Sequence, residues 1–600
     1  MKLLFDNLTV SALALRIGCV CTALLAVWIV CRCARSMLSL RYEPETWAYL
    51  YLPGEVMLPI HHWECLIGRA RHADCRILEP GIQKLHACLI RFPGGGWNVF
   101  SLGGGAVRVN NRPVGPTGLR MEDADVLIVG DMAIRFVDLT EEERRSLLRY
   151  RHRPGRRFRP FGHFFLLTLL ELSLCLQQIS SHGEEELLPI LAAFGALAAL
   201  QWVYFFILRA AGTTGFEVET LGFFLCALGI SVVCSSDTDG LMKQMVLIGA
   251  GVLCFLTLGL WMRDIRRIKI LRWPVGLAAL ALLGANLLFG EARYGAQNWI
   301  NLGLFTIQPS EFVKVAYIFA GAATLDRLFV NRNLFLFIGY SAACVGVLAL
   351  MGDFGTALIF FVTFLIISFM RSGSFATVFL AVSGAALGCL LVLTVKPYIA
   401  ARFATWGHAW EDVYDSGYQQ VRAMSAAASG GLFGQGAGRG WFIDVFAADT
   451  DLVFAVLSEE NGLIVALCAV AALLVLCGFA VRNADADRSS YQIIAGCGAA
   501  SMMLVQMSLN IFGTMDILPL TGVTFPFVST GGSSLLSCWM LLAFIKSCDT
   551  RAGASFAVIR PDRFSGGIGV PEEQELLRRS FRHEFEPQPT EAQGVNHEDR

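Results

Sequence analysis

The sequence predicts a polytopic α-helical membrane protein that carries one small all-β domain, and three observations predict it. The 600 residues are 55% hydrophobic and only 16% charged, with a mean hydropathy of +0.56, too apolar for a soluble enzyme of that length. Apolar runs long enough to span a bilayer recur along the chain. Between the first of them and the rest, residues 45–140 switch to short alternating segments separated by glycine-rich turns. The formal net charge of −1 excludes nothing, because the asymmetry between loops carries the information in such a chain. The 18 cysteines are scattered, mostly in apolar runs, with no CxxC pair and no zinc-ligand spacing, and read as small hydrophobes.

The first run, "SALALRIGCVCTALLAVWIV" (11–30), has only Lys2 ahead of it, lacks a small-x-small cleavage site and is followed at once by "CRCAR". It reads as a retained helix ending in the cytoplasm, so residues 1–35 form an N-terminal anchor. The runs "HACLIRF", "GWNVF" and "VLIVG", with turns such as "PGGG" and "LGGG", make 45–140 a β-sandwich. The linker 141–160 ends in "RYRHRPGRRFRP", six arginines and no acid, a cytoplasmic-side marker. Spanning runs at 161–180 and 187–209 form a hairpin (161–212), read as a dock for the β domain. Further runs follow at 218–235, 244–262, 272–290, 312–330, 334–351, 355–371, 376–396, 452–480, 491–512 and 533–547, which with the first makes about thirteen helices. "RDIRRIKILR" (263–272), with five basic residues against one acid, lies inside. The loop 402–451, with six acids against three arginines, falls outside, and the parity closes. The tail 549–600 is polar, charged, cytoplasmic and expected to be disordered.

Three external loops concentrate the polar residues: "QNWINLGLFTIQPSEFVK" (297–314), 402–451, and "GTMDILPLTGVTFPFVSTGGSS" (513–534). Proline and glycine in the third suggest a rigid re-entrant or surface segment. In "DTDLVFAVLSEENG" (449–462), four carboxylates stand at or inside an apolar run, where charge is expensive. On spacing, Asp451 suits a helix N-terminus, Asp449 a loop or cap, and Glu459 and Glu460, roughly 12–14 Å deeper, a buried hydrogen-bonding role.

Five ordered words resemble the SEDS family (FtsW/RodA) of peptidoglycan polymerases: "NWINLG…QPSEFVK", "GDFGTALI" (352–359), "GYQQVRAMSAAASGGLFGQGAG" (417–438), "TDLVFAVLSEENGLI" (450–464) and "LPLTGVTFPFVSTGGSS" (518–534). The resemblance covers a ten-helix core, 215–548, and leaves the hairpin 161–212 outside it. It implies an inverting glycosyltransferase that polymerises lipid II and releases undecaprenyl diphosphate, in elongation, division or sporulation. A carboxylate must take the proton of the attacking sugar hydroxyl, and the family word places it at Asp451. Cations should steady the departing diphosphate, and Lys314, Arg402 and Arg422 occupy basic positions of the family words. Glu311 is a further substrate-side candidate whose structural alternative is an i, i+3 pair with Lys314. Gln308, Trp299, Gln420 and Ser529 are candidate sugar or phosphate contacts. The basic residue that usually precedes the Trp of this word is Asn298 here, which removes a phosphate role from that position.

The β domain resembles a forkhead-associated (FHA) domain in "LIGR" (66–69), "GIQKLHACLI" (81–90), "GGWNVFSLGG" (95–104) and "VNNRPV" (109–114). Its phosphothreonine surface would draw on Arg69, Gln83, Lys84 and Asn110. The family's serine is Gln83 and its "NGT" asparagine aligns with Gly105, so a structural docking module is the leading reading, with His86 in the core. The resemblance further implies a class B penicillin-binding protein as transpeptidase partner, and a phosphothreonine protein if the sandwich keeps that activity. Nucleic acid is not expected as a partner. No metal-ligand set is visible; a magnesium or manganese ion on the diphosphate is chemically reasonable. Two rivals stand beside the enzyme: a flippase for lipid-linked precursors, and a non-catalytic division scaffold. One-sided placement of the motif residues counts against the first, and the presence of Asp451 against the second.

Overall fold

The computed structural model describes residues 2–39, 45–147, 160–395, 405–549, 551 and 554, apart from short gaps at 55, 71–72, 93–95, 103, 116, 141, 145, 264, 294–295, 302, 304–305, 326–330, 373–374 and 485–488. The basic linker from 148, Arg402 and the tail from 555 therefore lie outside the described residues. Helix α1 (Lys2–Ser39) precedes the β domain. After it come α2 (Pro160–Ser181), α3 (Leu187–Ala210), α4 (Glu217–Ser236), α5 (Leu241–Trp261), α6 (Ile265–Phe289), α7 (Pro309–Leu325), α8 (Asn331–Leu350), α9 (Phe354–Ser372) and α10 (Phe375–Val395). Two short helices, α11 (Tyr418–Gly430) and α12 (Val453–Glu460), lead to α13 (Gly462–Ala484), α14 (Ser490–Thr514) and α15 (Gly532–Ser547). Among the described residues, nine helices are long and apolar enough to cross a bilayer, and Phe354–Met370 and Gly532–Ser547 are shorter apolar helices.

The run 452–480, expected as one spanning helix, is broken. The chain leaves α12 at Asn461 and restarts at Gly462, whose φ of +87° suits glycine. A Cβ there would stand 2.4 Å from the Phe433 backbone, so the segment after α11 packs directly into the break. The loop 402–451 contains α11, and Glu291–Arg293, Ala296–Asn301 and Thr306–Ile307 form a three-stranded antiparallel sheet.

Buried charges stitch the bundle at one end. Lys546 on α15 pairs with Glu219 on α4 at 3.0 Å, and Tyr204 on α3 donates to the same carboxylate at 3.0 Å. Glu217 accepts from Arg551 at 3.0 Å and from Ser36 on α1 at 2.6 Å. Such groups survive burial because each charge meets an opposite one. They also correct the reading of the hairpin as a dock for the β domain alone: α1, α2 and α3 pack on the core helices, α1 along α13 and α2 along α4.

The β domain is a two-sheet sandwich. One sheet runs Val56–Ile60, Ala48–Leu52, Met132–Asp138, Val126–Val129, Val107–Val109, Arg112–Pro113, and the other Cys75–Arg76, Glu64–Gly68, Ala87–Arg91, Trp97–Ser101, Leu119–Met121. Alternate residues meet between the sheets, with Trp97 edge-on to Phe136 at 5.7 Å. Trp97 Nε1 donates to Asp138 at 3.0 Å, and burial pushes that carboxyl up against the opposing effect of the indole bond. Ser490, at the start of α14, donates to Glu64 of the sandwich at 3.3 Å.

Candidate functional site

Asp451 sits in a turn just ahead of α12. Ala447, with a φ of +62°, closes that turn: its carbonyl accepts the amides of Thr450, Asp451 and Leu452 at 3.3, 3.1 and 3.2 Å. The loop 515–531 lies across it. Ser529 donates to the Thr450 carbonyl at 2.5 Å and accepts the Phe525 amide at 2.7 Å. Thr530 donates to Asp449 from its amide to the carbonyl at 3.0 Å and from its hydroxyl to the carbonyl at 3.3 Å and the carboxylate at 2.5 Å. From α14, Asn510 ties the two segments together, donating to the carbonyls of Asp451 and Val523 at 2.9 and 2.8 Å. The backbone on both sides of Asp451 is therefore fixed, and its half-buried carboxylate faces Gly522, where an added Cβ would stand 3.3 Å from Oδ2. A carboxylate held at the rim of a glycine-lined surface is placed to take a proton from a hydroxyl brought alongside.

Glu459 and Glu460 are fully buried. Glu459 accepts the amides of Trp441 and Phe442 at 3.2 and 3.0 Å, and Glu460 accepts the Gly438 amide at 3.1 Å and the Ser235 hydroxyl at 2.8 Å. They hold the segment 434–442 in place, as the buried role expected of them requires.

The candidates of the first external loop fall in two layers. Trp299 and Gln308 are half-buried, and the Gln308 amide donates to Ser533 at 3.1 Å. Deeper, Lys314 is 1% exposed and pairs with Glu311 at 2.7 Å while donating to Gln506 at 2.8 Å. Ser537 donates to Glu311 at 2.6 Å, and Gln506 donates to the Thr524 hydroxyl at 2.9 Å. The Lys314 ammonium therefore braces the floor beneath the loop, and Glu311 forms the i, i+3 pair that was its structural alternative. Beside them Asp353 caps α9 by accepting the Thr356 amide at 3.0 Å; burial pushes its carboxyl up, opposed by that bond.

Of the cations assigned to the diphosphate, Arg422 is the one exposed among the described residues. Its guanidinium lies over the rings of Tyr418 and Trp441, 5.4 and 5.8 Å from their centroids. Gln420 is buried on the same helix, and Ser529 is buried in the hydrogen bonds already given. Among the described residues no group of three His, Cys, Asp or Glu side chains is placed to hold a metal ion.

In the sandwich, Arg69, Gln83 and Lys84 are exposed on adjoining loops, joined where the Arg69 amide donates to the Gln83 carbonyl at 2.9 Å. Asn110 is a correction. With a φ of +47° it makes a tight turn, its side chain bonded to Asp125 at 2.6 Å and to the Val126 amide at 2.9 Å. His86 is in the core, accepting the Gln83 amide at Nδ1, and its ring occupies the space a Cβ on Gly105 would need, 2.5 Å away. That contact explains why no asparagine stands at 105.

Sequence reading missed Asn510, Gln506, Gly522 and Thr530. The signal for the first two was present: amides interrupting the apolar run "MMLVQMSLNIF".

The family model for the FtsW, RodA and SpoVE proteins, described as "Cell cycle protein", matches residues 213–553. Peptidoglycan glycosyltransferase RodA of Mycobacterium tuberculosis is 30% identical over 324 residues, 50% of this chain and 69% of that protein. Among solved structures, a chain from a peptidoglycan synthase complex that coordinates polymerization and crosslinking is 26% identical, covering 55% of this chain and 96% of its own, with a TM-score of 0.47. An FHA domain studied for phosphothreonine-dependent interactions is 23% identical, over 16% of this chain and 99% of its own, with a TM-score of 0.15.

Proposed function

The chain belongs to the FtsW/RodA/SpoVE family, and on that premise we propose that it is a multi-pass membrane glycosyltransferase that polymerises lipid II into glycan strands. The carrying observation is the half-buried Asp451 carboxylate facing Gly522 on a backbone fixed from both sides. In the reaction, the acceptor sugar hydroxyl attacks the anomeric carbon of a glycan held on undecaprenyl diphosphate. The new glycosidic bond forms as the carbon–phosphate oxygen bond breaks, the hydroxyl proton passes to Asp451, and the diphosphate departs with its electron pair. Arg422, exposed beside Trp441 and Tyr418, supplies positive charge to the departing group, whereas Lys314 supports the floor. Any magnesium or manganese ion would neutralise the same diphosphate.

In this reading the loops bearing Asp451 face the outside of the plasma membrane, with the sandwich and tail in the cytoplasm. The glycan product passes to a class B penicillin-binding protein for cross-linking. The sandwich serves as a docking module, with Arg69, Gln83 and Lys84 its candidate phosphothreonine contacts. Full-length protein in liposomes supplied with lipid II tests the reading, with glycan strands scored after muramidase digestion. Wild type should polymerise and Asp451→Asn should not. Polymer from the variant would remove the base, and translocation without polymer would replace the enzyme with a flippase.

A further inference from the structure

Helices α1 and α2 precede the residues matched to the family, 213–553, yet they grip part of its outer face. The segment 434–442 connects α11 to the turn before Asp451, and its backbone is held from two sides. On one side are the α12 carboxylates described above, together with the carbonyls of Glu459 and Glu460, which accept the amides of Gln435 and Gly436 at 2.9 Å each. On the other is α2. Gln177 accepts the Ala437 amide at 3.3 Å, Ser181 donates to the Ala437 carbonyl at 2.8 Å, and Arg439 donates to the Ser180 carbonyl at 3.4 Å.

Gln178 closes the circuit. Its buried amide donates to the Ser231 carbonyl at 2.8 Å and to the Ser235 hydroxyl at 3.0 Å, and Ser235 in turn donates to Glu460. The fit leaves no slack at Gly438, where a Cβ would stand 2.6 Å from Gln178 Oε1, or at Gly436, where it would meet Leu15 of α1 at 2.9 Å. Behind this contact α1 and α2 are zipped by polar groups, with Gln177 donating to Thr22 at 2.8 Å and Thr22 within 2.8 Å of Ser173. Amides at such depth in a spanning helix are costly without a use. Their use here is the segment ending at Trp441, whose ring lies under the Arg422 guanidinium.

We propose that the α1–α2 pair is a brace for the 434–441 segment, and that Gln177, Gln178 and Ser181 are positioning residues which set the orientation of Arg422 toward the lipid-linked diphosphate. The inference rests on the diphosphate role given to Arg422 above. The brace comes from the two helices between which the β-sandwich is inserted in the chain, so this polymerase face is completed from outside the family core.

The test uses full-length protein in liposomes with lipid II as the probe: wild type, Gln177→Ala/Ser181→Ala, and Ser181→Thr, which keeps the hydroxyl. Amide hydrogen exchange of 434–442 is followed beside the kinetics. Losing both hydrogen bonds to Ala437 should raise KM about tenfold with kcat within about twofold, because binding is weakened and Asp451 is untouched. Exchange at 437–438 should quicken, and Ser181→Thr should match wild type in both readouts. Unchanged exchange in the double variant would overturn the brace. Quicker exchange with an unchanged KM, or an equal fall in kcat, would overturn its link to Arg422. Should the double variant fail to fold, Ser181→Ala alone carries the same readouts. Wild type that makes no polymer would defeat the enzyme reading, while the exchange data would still decide whether α2 holds the segment.

Discussion

Two regions lie eight residues apart and use the same chemical group in opposite ways. At 449–451 the supporting hydrogen bonds run to backbone carbonyls and to Asp449, and the Asp451 carboxylate is left half-buried at a rim facing Gly522. At 459–460 the carboxylates themselves are the support, wholly buried and accepting loop amides and a hydroxyl. The difference teaches that a carboxylate's role follows from what is bonded around it. At Asp451 the neighbouring backbone is satisfied by other groups and the carboxylate stands at a half-buried rim; at Glu459 and Glu460 the carboxylate satisfies the backbone and becomes scaffold.

The sharpest way to break this comparison is Asp451→Asn. It should lower the polymerisation rate by about 10²–10⁴-fold, the usual worth of a general base, with unchanged thermal unfolding in detergent. An equal loss of stability would place Asp451 with the scaffold carboxylates. Next in size is Lys314→Ala, which leaves Glu311 buried without its ion partner. It should cost about 3–5 kcal/mol of stability by denaturant unfolding, and a double replacement by apolar residues should recover much of it. Recovery of activity in that double variant would fix Lys314 as floor and not as phosphate ligand. Glu459→Ala strands the buried Phe442 amide and the part-buried Trp441 amide, and should cost about 1–3 kcal/mol, with activity falling only as the folded fraction falls. The smallest effect is expected of Thr530→Ala. Loss of the bond to Asp449 should destabilise by about 1 kcal/mol, and kcat should fall modestly as the loop beside Asp451 loosens.

Much of the architecture was legible because lipid and sheet packing impose periodicities that local sequence must satisfy. Apolar runs marked the helices, alternation marked the sandwich, and the words around 297–314, 450–464 and 518–534 marked the face that carries Asp451. The break at Asn461–Gly462 falls on the polar stretch "SEENG" (458–462), whose acids also suit buried groups within one continuous spanning helix, so the sequence left the break hidden. What ends α12 is the backbone of Phe433 and Gly434 arriving from 28 residues upstream of Gly462 and its neighbour. Asn110 looked like a phosphopeptide contact because an asparagine stood in the expected word. Its positive φ and its bonds to Asp125 and Val126 became visible only with the turn in place.

By itself, then, the sequence determined the membrane class, the inserted β domain, the order of helices and the chain segment bearing Asp451, the proposed base. Each of these depends on composition and spacing within a few tens of residues. The tertiary structure alone decided which acids are buried as scaffold and that Arg422 is exposed, and that α1 and α2 reach the 434–442 segment beside Asp451's turn. Gln177 meets Ala437 across 260 positions, Lys314 meets Gln506 across 192, and Asn510 reaches the Asp451 carbonyl across 59. Burial and hydrogen-bond partnership set the roles of those groups, and both are properties of residues brought together by folding rather than of neighbours along the chain.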